Sequence, residues 1–352
     1  MSATFFRTTT PRGTDVLIQP LRHLRSCSVG FWVKRGSCHE APSEEGLAHF
    51  IEHTVFKGTE RYPNPQVLGE AMDALGGHVD AFTGKESACF YGKVLRERLP
   101  DLVTLLGELV TAPRFEAEEL ARERSVIQEE IAQSEDQPDD WVSELFYLHF
   151  WPEGSLAHPI LGRPEQVETF GPETARTFFE RTYRAPNLLV AAAGDVDPEA
   201  FLDLLTPILD RLPEGASAPP PRPNRPRAFV LNKPRRDLQQ VNLVMGFPSG
   251  NHRDPDRVAL HLLSHILGGG MSSRLFLELR EKRALCYHVG SFLTPYTDTG
   301  ALQITASCTA DKAQEFVQRT LEECLRLAHQ GIRPDELARA KLQARTSLVF
   351  GE

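Results

Sequence analysis

His49, Glu52 and His53 stand within five residues of one another, in the stretch GLAHFIEHTVFKGT. Two imidazoles and a carboxylate could together hold a divalent cation and move a proton beside it. On a helix, His49 and His53 are i and i+4, with Cβ atoms about 5–6 Å apart, close enough for both rings to reach one ion at Zn–N distances of about 2.0–2.1 Å. At about 100° per residue, Glu52 falls on the same face, where it can serve as a base without binding the ion. The order is H-x-x-E-H, the mirror of the HExxH zinc-peptidase helix. A chain with this composition produces it by chance about 0.04 times. The competing reading is a polar stripe on a surface helix.

A catalytic zinc site needs a third protein ligand. The stretch EAEELARERSVIQEEIAQSEDQP, residues 116–138, is acidic and helical in pattern, ending at Pro138. Leu120, Glu123, Ile127, Glu130, Ile131 and Ser134 share one face, whereas Glu129 turns toward Arg122 and Gln133. A glutamate on an apolar face is costly unless something charged receives it, so Glu130 is the expected third ligand and Glu129 the solvent-facing one. Glu123, seven residues earlier on that face, could accept a hydrogen bond from a ligand histidine.

The elements that position these residues follow from the hydropathy pattern. Ser43 is the expected cap, Glu44 and Glu45 suit a positive first turn, and Gly58 a terminus, which predicts a helix over 44–57. Strand-like runs (DVLIQPL, SVGFWVKRG, ACFYGKVL, NLLVAAAGDV) alternate irregularly with helical ones, which points to an α+β fold. Residues 212–229, crowded with proline, break the chain and read as a linker. A domain over 1–211 and a second over 230–352 are therefore expected.

The second half repeats the style of the first. A shift of 212 residues carries His49 onto His261 and His53 onto His265, with Ser264 in place of Glu52, as a duplicated domain would. Having lost the acid, His261 and His265 are expected to be structural. The second domain is the shorter one and is expected to be C-terminally incomplete.

With 352 residues and a formal charge of −9, the chain lacks the basic stripe that nucleic acid requires. No apolar run approaches the roughly 20 residues of a membrane span. Six dispersed cysteines without a CxxC fit a reducing compartment, and the N-terminus lacks the apolar core of a secretory signal. A cytoplasmic protein is expected.

GLAHFIEHTVFKGT, followed by Glu130 within ERSVIQEEI, resembles the pitrilysin/insulinase-type inverted-zincin peptidases, and more closely their processing-peptidase-like bacterial branch. The resemblance extends through LGGHVDAFTGKESACFYGKV, YRAPNLLVAAAGDVD and GGGMSSRLFLELREKRALCYHVGS, most of the chain. It implies two homologous domains of mixed or antiparallel sheet flanked by helices, and a zinc endopeptidase cutting short or unfolded peptides inside a clam-like chamber. By the same resemblance, His49, His53 and Glu130 match the ligands of one Zn²⁺ per chain, Glu52 the catalytic base and Glu123 the supporting acid.

Arg280 and Tyr287 match a pair that contacts substrate across the chamber. In short-chain members two copies form the shell, which implies a homodimer in which this pair completes the partner's site. DAFTGKE resembles the edge strand on which substrate pairs, making Asp80, Ala81, Phe82 and Thr83 expected substrate contacts. Asp80 stands where the family usually has Asn. The alternative is a peptidase-fold subunit without activity, serving as a scaffold.

Overall fold

The computed structural model describes residues 5–215, 221–235 and 237–351. In chain order the elements are β1 (Phe6–Thr9), β2 (Asp15–Pro20), β3 (Ser26–Val33), α1 (Leu47–Val55), α2 (Pro65–Ala74), β4 (His78–Thr83), β5 (Ala88–Leu95), α3 (Leu99–Thr111), α4 (Ala117–Asp136) and α5 (Pro138–Phe150). They continue with α6 (Pro164–Val167), α7 (Pro172–Thr182), β6 (Leu188–Gly194), α8 (Pro198–Leu209), β7 (Val241–Ser249), α9 (Arg257–Gly268), β8 (His288–Pro295), β9 (Gly300–Cys308), α10 (Ala313–Gln330) and α11 (Pro334–Phe350). A short π-helical turn covers Phe276–Glu281. These form two compact units, one of residues up to Ser134 with His158–Arg222, the other of Glu135–Ala157 with the residues from Pro223 onward.

The first unit is built on a six-stranded sheet in the order β1-β2-β6-β3-β5-β4. β2 and β6 run parallel, and the other pairs are antiparallel. Central strands read as alternating or near-continuous apolar residues because helices cover them. In β6, Leu188, Val190 and Ala192 are buried. β4 lies at the edge, so among the described residues one row of its backbone groups lacks a strand partner.

Leu47, Phe50, Ile51 and Val55 of α1 are all 0% exposed, and this face fixes the helix that carries His49, Glu52 and His53. The helix starts three residues later than the pattern 44–57 implied, and Ser43 does not cap it. Its N-cap is Gly46, at φ +95°, and the Glu40 carboxylate accepts hydrogen bonds from the Gly46 and Ala48 N–H groups at 2.9 and 2.6 Å. The late start has a steric cause: a Cβ on Gly46 would lie 2.5 Å from the Gly162 Cα, so the chain must turn there on a left-handed glycine.

The second unit carries a three-stranded antiparallel sheet, β7-β9-β8, over a core that includes Leu267, Leu275, Leu279, Ile304 and Phe316. Residues 135–157, which a single cut at the proline-rich stretch would leave with the first domain, group with this unit. The reason is packing: α5 lies on β7, and the Phe146 ring occupies the space over Gly246, where a Cβ would come within 2.2 Å of it. Of the 212–229 linker, residues 216–220 lie outside the described residues, and 221–229 take no regular helix or strand. Among the described residues no helix is long and apolar enough to cross a membrane.

Candidate metal centre

α1 and α4 bring His49, His53 and Glu130 together, with one potential ligand atom from each lying within 4.8 Å of the others. Glu130 Oε2 is 3.7 Å from His49 Nε2 and 3.5 Å from His53 Nε2. Donors held at about 2.0–2.1 Å from a tetrahedral ion stand about 3.3 Å apart, so these separations are close to those a single zinc ion imposes. Glu130 is half-buried on the inward side of α4, whereas Glu129 is exposed.

The two histidines are held differently. His53 Nδ1 lies 3.2 Å from Glu123 Oε2, which directs Nε2 toward Glu130. Glu123 is itself buried, and its other oxygen takes the Lys57 ammonium at 2.8 Å. Burial pushes the Glu123 carboxyl up, but the hydrogen bonds from His53 and Lys57 prevail and keep it below the usual range. His49 has no such partner: its Nδ1 is buried without a hydrogen bond. Burial, with His53 alongside, depresses His49 to about 3, so this imidazole is neutral and presents a lone pair.

Glu52 neighbours the cluster on α1. The Thr83 hydroxyl, on the inward side of β4, donates to Glu52 Oε2 at 2.5 Å. Burial raises the Glu52 carboxyl above its ordinary value; the Thr83 hydrogen bond and His53 oppose that, and Glu130 and Asp80 add to it. The result is a desolvated carboxylate, fixed through one oxygen, whose proton affinity is higher than a surface glutamate's.

Of the expected substrate contacts, all four lie on the edge strand β4. Phe82 is exposed and packs edge-on against Trp32 with centroids 5.5 Å apart, while the Asp80 carboxylate accepts from its neighbour Ala81 N–H and from the Tyr91 hydroxyl at 2.8 and 3.3 Å. Ala81 and Thr83 turn inward. Arg280 and Tyr287 belong to the second unit, where the guanidinium sits 5.0 Å from the centre of the Tyr287 ring and 4.6 Å from that of Phe276. Tyr287 is 78% exposed. His261 is exposed and His265 bonds to Gln343; neither joins a group of potential metal ligands among the described residues.

Sequence reasoning missed three supporting residues. Lys57 was accessible, being four residues beyond His53 and hence on the same face one turn on. Glu40 and the hydrogen-bonding role of Thr83 had no such local signal. Two imidazoles and one carboxylate, with a hydrogen-bonded outer acid, suit a borderline-soft divalent cation such as zinc.

A family model described as "Insulinase (Peptidase family M16)" matches residues 16–163, and one described as "Peptidase M16 inactive domain" matches residues 169–344. Proteins named "uncharacterized zinc protease" are similar over almost the whole chain. The one from Rickettsia bellii is 35% identical over 97% of this chain and 82% of its own length. Those from Streptomyces coelicolor and Bacillus subtilis are 34% and 32% identical over 98% of this chain, and 76% and 83% of their own lengths. Among solved structures, a protease from Helicobacter pylori superposes with a TM-score of 0.92 at 22% identity, over 99% of this chain and 85% of that one. A peptidase M16 inactive domain from Pseudomonas fluorescens gives 0.91 at 22%, over 98% and 84%.

Proposed function

Because the chain belongs to the insulinase family of peptidases, peptidase family M16, we propose that it is a zinc-dependent endopeptidase that hydrolyses short or unfolded peptides. The observation that carries this reading is the convergence of His49, His53 and Glu130 beside Glu52, a half-buried glutamate. The three would hold one zinc ion per chain. Zinc bound there supplies a Lewis acid that acidifies water and polarises a peptide carbonyl.

The remaining work falls to side chains. Glu52 takes the proton of the attacking water and returns it to the leaving amine, and its raised affinity for protons suits that shuttle. Thr83 ties down one carboxylate oxygen and leaves the other for the proton. Glu123 holds the His53 ring in orientation. An extended substrate adds to the free edge of β4 around Asp80, Ala81 and Phe82 by main-chain hydrogen bonds, so length and shape matter more than any one side chain.

Two copies of the chain are proposed to act together, Arg280 and Tyr287 of each serving the other's site. The exposed phenol of Tyr287, stacked by a guanidinium, is available to an oxyanion in such an arrangement. Six free cysteines agree with a reducing, cytoplasmic setting.

The test is Glu52→Gln beside His53→Ala, with zinc content and cleavage of an internally quenched peptide measured on each. Glu52→Gln is expected to keep zinc and lose turnover by at least about a thousandfold, and His53→Ala to lose both. Turnover of Glu52→Gln at the parent rate removes the assigned base. A parent protein that purifies without stoichiometric zinc and binds none on addition favours the scaffold reading instead.

A further inference from the structure

Glu40 is 5% exposed and takes no part in the proposed chemistry. Its two oxygens accept from backbone N–H groups that open α1, Gly46 at 2.9 Å and Ala48 at 2.6 Å. A helix start leaves four such donors without partners inside the helix, and a side chain at the N-cap ordinarily takes one. Gly46 has no side chain to offer. Glu44 and Glu45, nearer in sequence, are turned away to Arg181 and Arg163 at 2.8 and 2.5 Å. The start of α1 is therefore pinned by an acid that lies six and eight residues before the groups it holds.

The segment that carries Glu40 is itself fastened to the β4–β5 hairpin. Ser37–His39 form one 3₁₀ turn, and the Ser37 and Cys38 N–H groups donate to the Gly84 and Lys85 carbonyls at 3.2 and 2.8 Å. Gly84 and Lys85 lie in the turn between β4 and β5. The approach is close: a Cβ on Gly36 would come within 2.2 Å of the Gly84 carbonyl oxygen. The Glu40 N–H donates back to the Ser37 carbonyl at 3.2 Å, which leaves little slack between the hairpin and the carboxylate.

These contacts close a ring. It runs from Thr83 to Gly84, across to Ser37, along to Glu40, into the first turn of α1, and down that helix to Glu52, whose carboxylate accepts from the Thr83 hydroxyl. Glu52 and the hydroxyl that holds it are thus joined twice, once directly and once through Glu40. His49 lies in the pinned turn as the third residue of α1, and its Nδ1 has no hydrogen bond among the described residues. It lacks the tether that Glu123 gives to His53, so its place depends on the backbone that bears it.

Resting on the zinc-peptidase reading, we propose that Glu40 is a positioning residue of the site. It holds the first turn of α1 at a set distance from the β4–β5 turn, so that His49 reaches the metal and Glu52 stays against Thr83. A cap that serves folding alone costs stability when it is removed and leaves every folded molecule at the parent affinity and rate. A cap that closes the ring costs affinity and rate in the folded molecule.

The test is Glu40→Gln in the full chain, which keeps size and one acceptor but turns an amide NH₂ toward the second N–H. Zinc affinity is read by competition with a chelator, and kcat per bound zinc on an internally quenched peptide, under conditions where urea unfolding shows each variant folded. Zinc affinity is expected to fall about tenfold, and kcat about 10–100-fold with KM within twofold. Glu40→Asp, one methylene too short to span both N–H groups, is expected to lose less. Combined with Thr83→Val, the kcat losses are expected to be less than multiplicative, because both act on the Glu52–Thr83 contact. Parent affinity and parent kcat per zinc in folded Glu40→Gln overturn the proposal, as do losses that multiply in full with Thr83→Val. Failure of both Glu40 variants to fold overturns it too, by making the acid a requirement of the fold. A parent chain that binds zinc yet cleaves no peptide removes the endopeptidase reading instead, and Glu40 is then judged on zinc affinity.

Discussion

Glu123 offers the most discriminating perturbation of the site, because it touches no substrate. Its two oxygens serve different partners, His53 Nδ1 at 3.2 Å and Lys57 Nζ at 2.8 Å, and its side chain is 7% exposed. Glu123→Gln keeps the shape and one acceptor while removing the charge. An uncharged acceptor orients the His53 ring less strongly, an effect that costs about 10–100-fold in metal affinity, or about 1.4–2.7 kcal/mol. The metal-free protein loses less, about 1 kcal/mol, since Lys57 is 28% exposed and turns to water. Zinc affinity is read by competition with a chromophoric chelator, and metal-free stability by urea unfolding. Combining Glu123→Gln with Lys57→Met separates the two partners: the zinc effect is expected to persist in the double variant, the stability effect to shrink. Zinc affinity within twofold of the parent for Glu123→Gln, in a folded protein, would falsify the view that this carboxylate sets the His53 ring.

Three further outcomes follow from the same geometry. Thr83→Val removes the hydrogen bond to Glu52 and is expected to lower kcat about tenfold with KM nearly unchanged, while Thr83→Ser keeps the rate; equal losses in both would assign Thr83 to strand packing alone. Burial raises the Glu52 carboxyl and only its ionised form accepts a proton, so kcat/KM of the zinc-loaded enzyme is expected to fall as pH drops through a value above the ordinary 4.5. Thr83→Val moves that limb higher still, since the lost hydrogen bond lowers the pKa, and a limb that stays put in this variant contradicts the assignment. Gly46→Ala forces a Cβ to within 2.5 Å of Gly162 at φ +95°, and is expected to cost about 2–3 kcal/mol in urea unfolding; an unchanged midpoint would mean that the turn before α1 can relax.

Much of the site could be read without coordinates because its residues sit on two amphipathic helices, where spacing translates into direction. The i, i+4 histidines and the inward side of 117–136 each obey helical periodicity, so Glu130 could be told from Glu129 by its apolar neighbours Ile127 and Ile131. The start of α1 could not, because it depends on a steric contact between Gly46 and Gly162, more than a hundred positions apart. The grouping of α5 with β7 was hidden for the same reason: Phe146 and Gly246 meet through packing, and the helix alone would fit either domain.

From its sequence alone this protein is defined as a duplicated α+β chain carrying an inverted H-x-x-E-H helix and an acidic helix that can supply a third ligand. Those are local properties, set by side-chain type and by the 3.6-residue period. Only the tertiary structure decided that Glu123 bridges His53 to Lys57, that Thr83 reaches Glu52 from an edge strand, and that α5 groups with β7. Each of these joins elements far apart in the chain, and their meeting depends on sheet order and core packing, which no short window of residues encodes.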